Sequence, residues 1–216
     1  LSLAGLVAVF LGVLLSASHP AWRETYAFHP AQDPLWAGFL AQLIHLDAAH
    51  TALNLTGLAV LCLAACWLDR LVAVMPALLA SALGVCLGLQ MESPQIAWYV
   101  GLSGALYGAW AWLSAELAAS RSPPLHVRGV AGLACLAIGI KAALGLGSPA
   151  ILGDLPIAHQ AHLYGYAGGL VFTACSLISS NCRTWPRARN FKRWQRIPNV
   201  HPNACNSPAW LRTRRG

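Results

Sequence analysis

Six long, nearly charge-free apolar runs, at about 2–18, 49–67, 71–90, 97–119, 128–147 and 157–180, dominate this 216-residue chain. A membrane-crossing helix needs about 20 mostly apolar residues, and each run comes close to that length. Water-soluble packing cannot hide six such runs here, because charged residues are only 10% of the chain and hydrophobic ones 57%. Ordinary soluble domains carry about 25% charged residues. The expected fold class is therefore an all-α membrane protein, a bundle of six transmembrane helices. The first run lacks a basic start and five more follow it, so it reads as a span and not as a cleaved signal peptide.

The formal net charge of +7 is unevenly spread. Residues 1–180 hold five basic and seven acidic side chains, a net of −2, whereas residues 181–216 hold nine basic and no acidic ones, a net of +9. The chain thus divides into a six-span body, 1–180, and a basic tail, 181–216. The tail mixes Trp185, Phe191, Trp194 and Trp210 with four prolines and has no core-forming period. It is expected to be disordered and to lie on anionic lipid headgroups; the bilayer, and not nucleic acid, is its expected partner. Lys and Arg also orient the spans. Arg70 lies in the second connection, Arg121 and Arg128 flank the fourth, and nine basic residues follow the sixth span, whereas 91–96 and 148–156 hold none. The N-terminus, even connections and tail are then inside, so spans two, four and six all run inward from the outer face. The long first loop, 19–48, lies outside. Its His19, Trp22, Tyr26, Phe28, His29, Trp36 and Phe39 suit short helices in the membrane interface.

Polar groups inside a membrane are costly and mark a cavity or a helix–helix contact. His50 and Asn54 stand at the outer start of span two, with Asp47 as a helix N-cap, and their i,i+4 spacing puts them on one face. Ser103 lies in Gly101-Leu102-Ser103-Gly104 near the outer end of span four, and His162 near the outer end of span six. The three spans run the same way, so these groups are expected to share a depth, roughly 10 Å or less below the outer surface. Gly104-x3-Gly108 and Gly165-x3-Gly169 let two helix backbones approach closely, as a Ser–His hydrogen bond requires. Ser103 is then a candidate nucleophile and His162 its general base. His50 and Asn54 are candidate oxyanion donors, and no acid is placed to complete a triad. Taken singly, a Gly-x-Ser-Gly is a packing patch and a membrane His a satisfied core residue. Their convergence at one depth favours chemistry.

These residues make the chain resemble the rhomboid intramembrane serine proteases across residues 1–180. The resemblance rests on His45-x4-His50-x3-Asn54, on Gly101-x-Ser103-Gly104 with Tyr107 one turn later, and on Ala161-His162-x2-Gly165-x3-Gly169. It implies a six-helix rhomboid-like bundle with a Ser103–His162 dyad. Tyr107 would stack on His162, and His50, Asn54 and backbone N–H groups near Ser103 would form the oxyanion hole. Many rhomboids carry a Trp-Arg pair in the first loop, where Trp36 here is followed by Ala37. The compact build, the His45–His50 run and Lys141 in span five resemble the bacterial rhombosortase branch. That branch is associated with trimming proteins that end in a Gly-Gly motif, an apolar span and a basic tail. The implied setting is the inner membrane, with the site facing the periplasm, transmembrane proteins as substrates and the tail in the cytoplasm.

Lys141 has two readings: snorkelling to the outer headgroups, or contact with a substrate carbonyl or carboxylate. Glu116, near the inner end of span four, is expected to reach the inner interface. His45 and His159 are expected to be hydrogen-bonded supporting or loop residues. A metal-dependent hydrolase would draw on His45, His50, His159 and His162, but no HExxH or carboxylate ligand accompanies them. Seven cysteines without a paired CxxC suggest neither zinc nor a disulfide framework. No metal or cofactor is implied. A non-catalytic binder of membrane helices is the alternative to the protease, although a binder needs neither Ser103 nor His162. A transporter has little support without a repeat or a pair of broken helices.

Overall fold

The computed structural model describes residues 2–17, 19, 21–121, 123–145, 151–152, 155–156 and 158–180. The apolar runs fold as helices because a helix satisfies its own backbone polar groups, as a nonpolar surrounding demands. The order is α1 (Ser2–Ala17), α2 (Trp22–Tyr26), α3 (Leu35–Ala41), α4 (Ala48–Trp67), α5 (Leu71–Glu92), α6 (Ser103–Ala119), α7 (Leu125–Leu144), β1 (Ile151–Leu152), β2 (Leu155–Pro156) and α8 (His159–Ser180). The antiparallel pairing of β1 with β2, Ile151 opposite Pro156 and Leu152 opposite Leu155, is too small to change the helical class. Among the described residues four helical stretches are long and apolar enough to cross a membrane: Ala48–Trp67, Leu71–Glu92, Leu125–Leu144 and His159–Ser179. The apolar stretch Leu3–Ala17 of α1 is shorter, and α6 has 17 residues. The basic segment 181–216 lies outside the described residues.

Local signals set several boundaries. Asp47 caps α4, its carboxylate accepting the His50 N–H at 2.7 Å. The turn after α4 puts Asp69 in the left-handed region (φ 58°). The Arg70 N–H then reaches the Ala65 carbonyl and the Asp69 N–H the Cys66 carbonyl, a Schellman closure. The run 97–119 is helical only from Ser103, because residues before it are extended and Gly101 holds φ +113°.

Helix α6 is the centre of the bundle, with Trp112, Ala105, Ala109 and Ala111 fully buried. Peripheral α7 buries only Ala131 and Ala142, and its Leu133, Leu136 and Ile140 face outward. Leu53, Leu63, Val72 and Val171 likewise point out of the bundle, the surface a bilayer would cover. Glu116 is not at a polar surface: it is buried and pairs with Arg70 at 3.4 Å. The α4–α5 turn brings the guanidinium to it, so the carboxylate meets a counter-ion inside the protein instead of water.

The first loop forms the short helices α2 and α3 and docks on the bundle. Phe28, with no exposed surface, pairs through its backbone with Tyr99. Gln90 donates to the Asp33 carbonyl at 2.8 Å, and Arg23 to the Leu46 carbonyl at 3.2 Å.

Candidate active site

The segment leading into α6 is fixed from both sides. Residue 99 is held in a two-way backbone bridge, Phe28 N–H to Tyr99 O at 3.0 Å and Tyr99 N–H to Phe28 O at 2.8 Å. Two residues on, the Gly101 N–H donates to the Ala41 carbonyl of α3 at 2.9 Å. The positive φ of Gly101 suits a residue without Cβ, and a Cβ there would also lie 2.7 Å from the His50 ring. The buried Tyr99 hydroxyl donates to the Gly101 carbonyl at 2.6 Å and accepts from the Gly104 N–H. One phenol thus bridges the turn on either side of Ser103. Ser103 itself is the first residue of α6, where backbone N–H groups have no partner within the helix and the dipole is positive.

Glycines bring α6 against α8. A Cβ on Gly165 would overlap the Gly104 carbonyl, one on Gly169 the Gly108 carbonyl, and one on Gly108 the Gly165 carbonyl. Gly84 of α5 meets Gly168 of α8 in the same manner. At this separation the Ser103 Oγ lies 3.0 Å from the His162 Nε2. The Tyr107 ring, one turn below Ser103, stacks on the imidazole with centroids 4.3 Å apart and planes 10° from parallel.

His50 and Asn54 reach the same place from α4. Both line a cleft of about 730 Å³ with Ser103, Tyr107, Lys141 and His162. Asn54 is buried with its Nδ2 unpartnered, as is the His50 Nδ1. Buried donors normally find partners, so these amide and imidazole atoms are available to a group entering the cleft. Ser103 and His50 also wall a second cavity of about 30 Å³, with Trp98, Tyr99 and Ala158 on its other sides, space enough for a water.

His45 packs edge-on against His50 at 5.0 Å, and its Nδ1 lies 3.1 Å from the Leu43 carbonyl. Burial, and next the nearby His50, push its pKa down to about 4, against the weaker pull of the Leu43 carbonyl and Asp47. It is a neutral ring supporting His50 from outside the cleft. His159 lies in the cleft wall, 5.7 Å from His162 ring to ring. Among the described residues no three His, Cys, Asp or Glu side chains gather as a metal site would need.

The residues singled out in the sequence therefore do meet: His50, Asn54, Ser103, Tyr107, Lys141 and His162 line one cleft, with Gly101, Gly104, Gly165 and Gly169 at the contacts that form it. Tyr99 and Phe28 are not among the site candidates of the sequence: Phe28 reads there only as an interface aromatic, and nothing local signals that residue 99 pairs with residue 28.

Residues 32–179 match the family model of the Rhomboid domain. No individual curated protein matches the chain.

Proposed function

Because this chain belongs to the rhomboid family, a family of intramembrane serine proteases, we propose that it is a serine endopeptidase that cleaves transmembrane segments near their outer end. The observation that carries this reading is the 3.0 Å approach of the Ser103 Oγ to the His162 Nε2 beside an open cleft. In the reaction Ser103 attacks the scissile carbonyl carbon while its proton passes to His162 Nε2. The carbonyl oxygen becomes an oxyanion and accepts hydrogen bonds from Asn54, a His50 ring N–H and backbone N–H groups at the start of α6. Each such donor is typically worth ~10²–10³ in rate. Collapse of the intermediate breaks the C–N bond, and His162 returns the proton to the leaving amine. Water then attacks the acyl-enzyme with His162 again as base, which frees Ser103. Stacking on Tyr107 holds the imidazole plane through both proton transfers.

The chain crosses the membrane six times in this reading, α1 and α6 included. At 1.5 Å per residue these helices of 16 and 17 residues are about 25 Å long, at the short limit for spans. Lys and Arg distribution supports a periplasmic site in an inner membrane, a cytoplasmic C-terminal tail and contact of that tail with anionic lipids. The His45–His50 run and Lys141 support the rhombosortase branch, with substrates that end in a Gly-Gly motif, an apolar span and basic residues.

Purified protein in liposomes, given a helical membrane substrate with small residues near its outer boundary, should cleave it, and Ser103→Ala should not. A fluorophosphonate should label Ser103 only while His162 is intact. Cleavage that survives Ser103→Ala refutes the serine mechanism. Tight substrate binding with neither cleavage nor labelling identifies a non-catalytic binder.

A further inference from the structure

We infer that Lys141 makes the cleft selective for substrates that carry an Asp or Glu side chain close to the scissile bond. The inference rests on the protease reading for where that bond lies. Among the described residues that line the cleft, Lys141 is the one Lys, Arg, Asp or Glu. On the same helix Leu133, Leu136 and Ile140 face outward from the bundle, whereas Ile138 and Leu144 line the cleft with Lys141. The ammonium sits over the Tyr107 ring, 5.9 Å from its centroid. Tyr107 in turn lies 4.3 Å from the His162 ring, which keeps Nζ within about 10 Å of the imidazole centre.

An extended peptide advances ~3.3 Å per residue. A segment laid along the cleft with its scissile carbonyl at Ser103 therefore brings side chains up to about three residues away within reach of the ammonium. Among the described residues no carboxylate lies within ion-pair distance of Lys141. Lys141 is exposed in a cleft of largely apolar lining, so its ammonium is open to a group that enters. A substrate carboxylate supplies a counter-ion, and a segment seated on the apolar lining would exclude water and strengthen the pair. The same ammonium repels a Lys or Arg at that position, so the charge both attracts one class of segment and rejects its opposite.

The test uses the full chain bearing Ser103→Ala, so that binding is read without turnover. Transmembrane peptides carrying Asp, Asn or Lys, at each of three positions on either side of the cleaved bond, are titrated in bicelles. At one position or more, Kd should be about tenfold lower for Asp than for Lys, with Asn between. Adding Lys141→Arg should keep that order, Lys141→Met should level it, and Lys141→Glu should invert it, each in protein whose melting profile matches its parent's. Equal Kd values for Asp and Lys peptides, or a preference that survives Lys141→Met, overturn the inference; the second is the result expected of a lysine that only snorkels. Failure of the protease reading shows separately, as unlabelled and inactive protein with Ser103 restored.

Discussion

Gly165→Ala is the sharpest test of how the fold makes the site. A Cβ built on Gly165 lies 2.6 Å from the Gly104 carbonyl carbon and 3.2 Å from Val85 Cγ2, with the Gly104 oxygen nearer still. Ordinary carbon–carbon contact is about 3.5–4.0 Å, and the obstructing atoms are backbone, which cannot turn aside. Helices α6 and α8 must therefore part by about 1 Å or more. Ser103 is one residue before Gly104, and His162 one turn before Gly165. The same displacement takes the 3.0 Å Ser103–His162 separation to about 4 Å, beyond hydrogen-bonding range. Loss of a positioned general base typically lowers rate ~10²–10⁴-fold, while the overpacking itself costs about 1–3 kcal/mol. The control is Gly129→Ala in α7, where nothing lies within 4 Å of the added methyl and helix propensity improves by about 1 kcal/mol. The measurement is the second-order rate of fluorophosphonate labelling at Ser103 in bicelles, beside thermal unfolding of both variants. Labelling should fall at least about 100-fold in Gly165→Ala and stay at the parental rate in Gly129→Ala. A Gly165→Ala protein that labels within threefold of the parent refutes the argument that backbone approach sets the dyad.

Two further outcomes follow from residues around the site. Tyr99→Phe deletes the hydroxyl that joins the Gly101 carbonyl to the Gly104 N–H and leaves a buried donor unpaired, at about 1–3 kcal/mol. It should lower kcat about tenfold with KM nearly unchanged, and a loss confined to KM would remove Tyr99 from the positioning of Ser103. His45 is held neutral in the fold with a pKa of about 4, below the ordinary 6.5. Between those pH values the unfolded chain binds more protons than the folded one, so stability is level above about pH 6.5 and falls as pH drops toward 4, by up to about 3 kcal/mol. His45→Gln should flatten that part of a melting-temperature profile against pH, and an unchanged slope would assign it to another group.

Much of the site was legible in the sequence because its local parts obey short-range rules. The four-residue interval from His50 to Asn54 places both on one helix face in any fold that keeps α4 helical, and Asp47 caps that helix as its position suggests. Glu116 shows where such rules stop. Its place near the inner end of α6 implied contact with the inner interface, yet it is buried against Arg70. The Schellman turn at Asp69 and the packing of α5 on α6 bring the guanidinium there, and neither feature is encoded near residue 116. The late start of α6 is similar. Residues 97–102 are apolar enough to continue a helix, but Tyr99 pairs with Phe28, some 70 residues earlier. The positive φ of Gly101 then separates that extended piece from the helix.

The sequence alone determined that this chain is helical and built for a membrane, since six apolar runs with few charges leave no other way to satisfy backbone and surface together. It also determined which few polar residues remain in those runs, and the positions of Lys and Arg led to the expectation that they share a depth. Only the tertiary structure decided that Ser103 and His162 touch, that a Tyr99 hydroxyl spans the turn between the loop and α6, and that Lys141 rests over Tyr107 in the cleft. The Ser103–His162 and Lys141–Tyr107 contacts join residues distant along the chain, and the first depends on how closely glycine surfaces let α6 and α8 approach. Periodicity states which face a residue occupies; only packing states what that face meets.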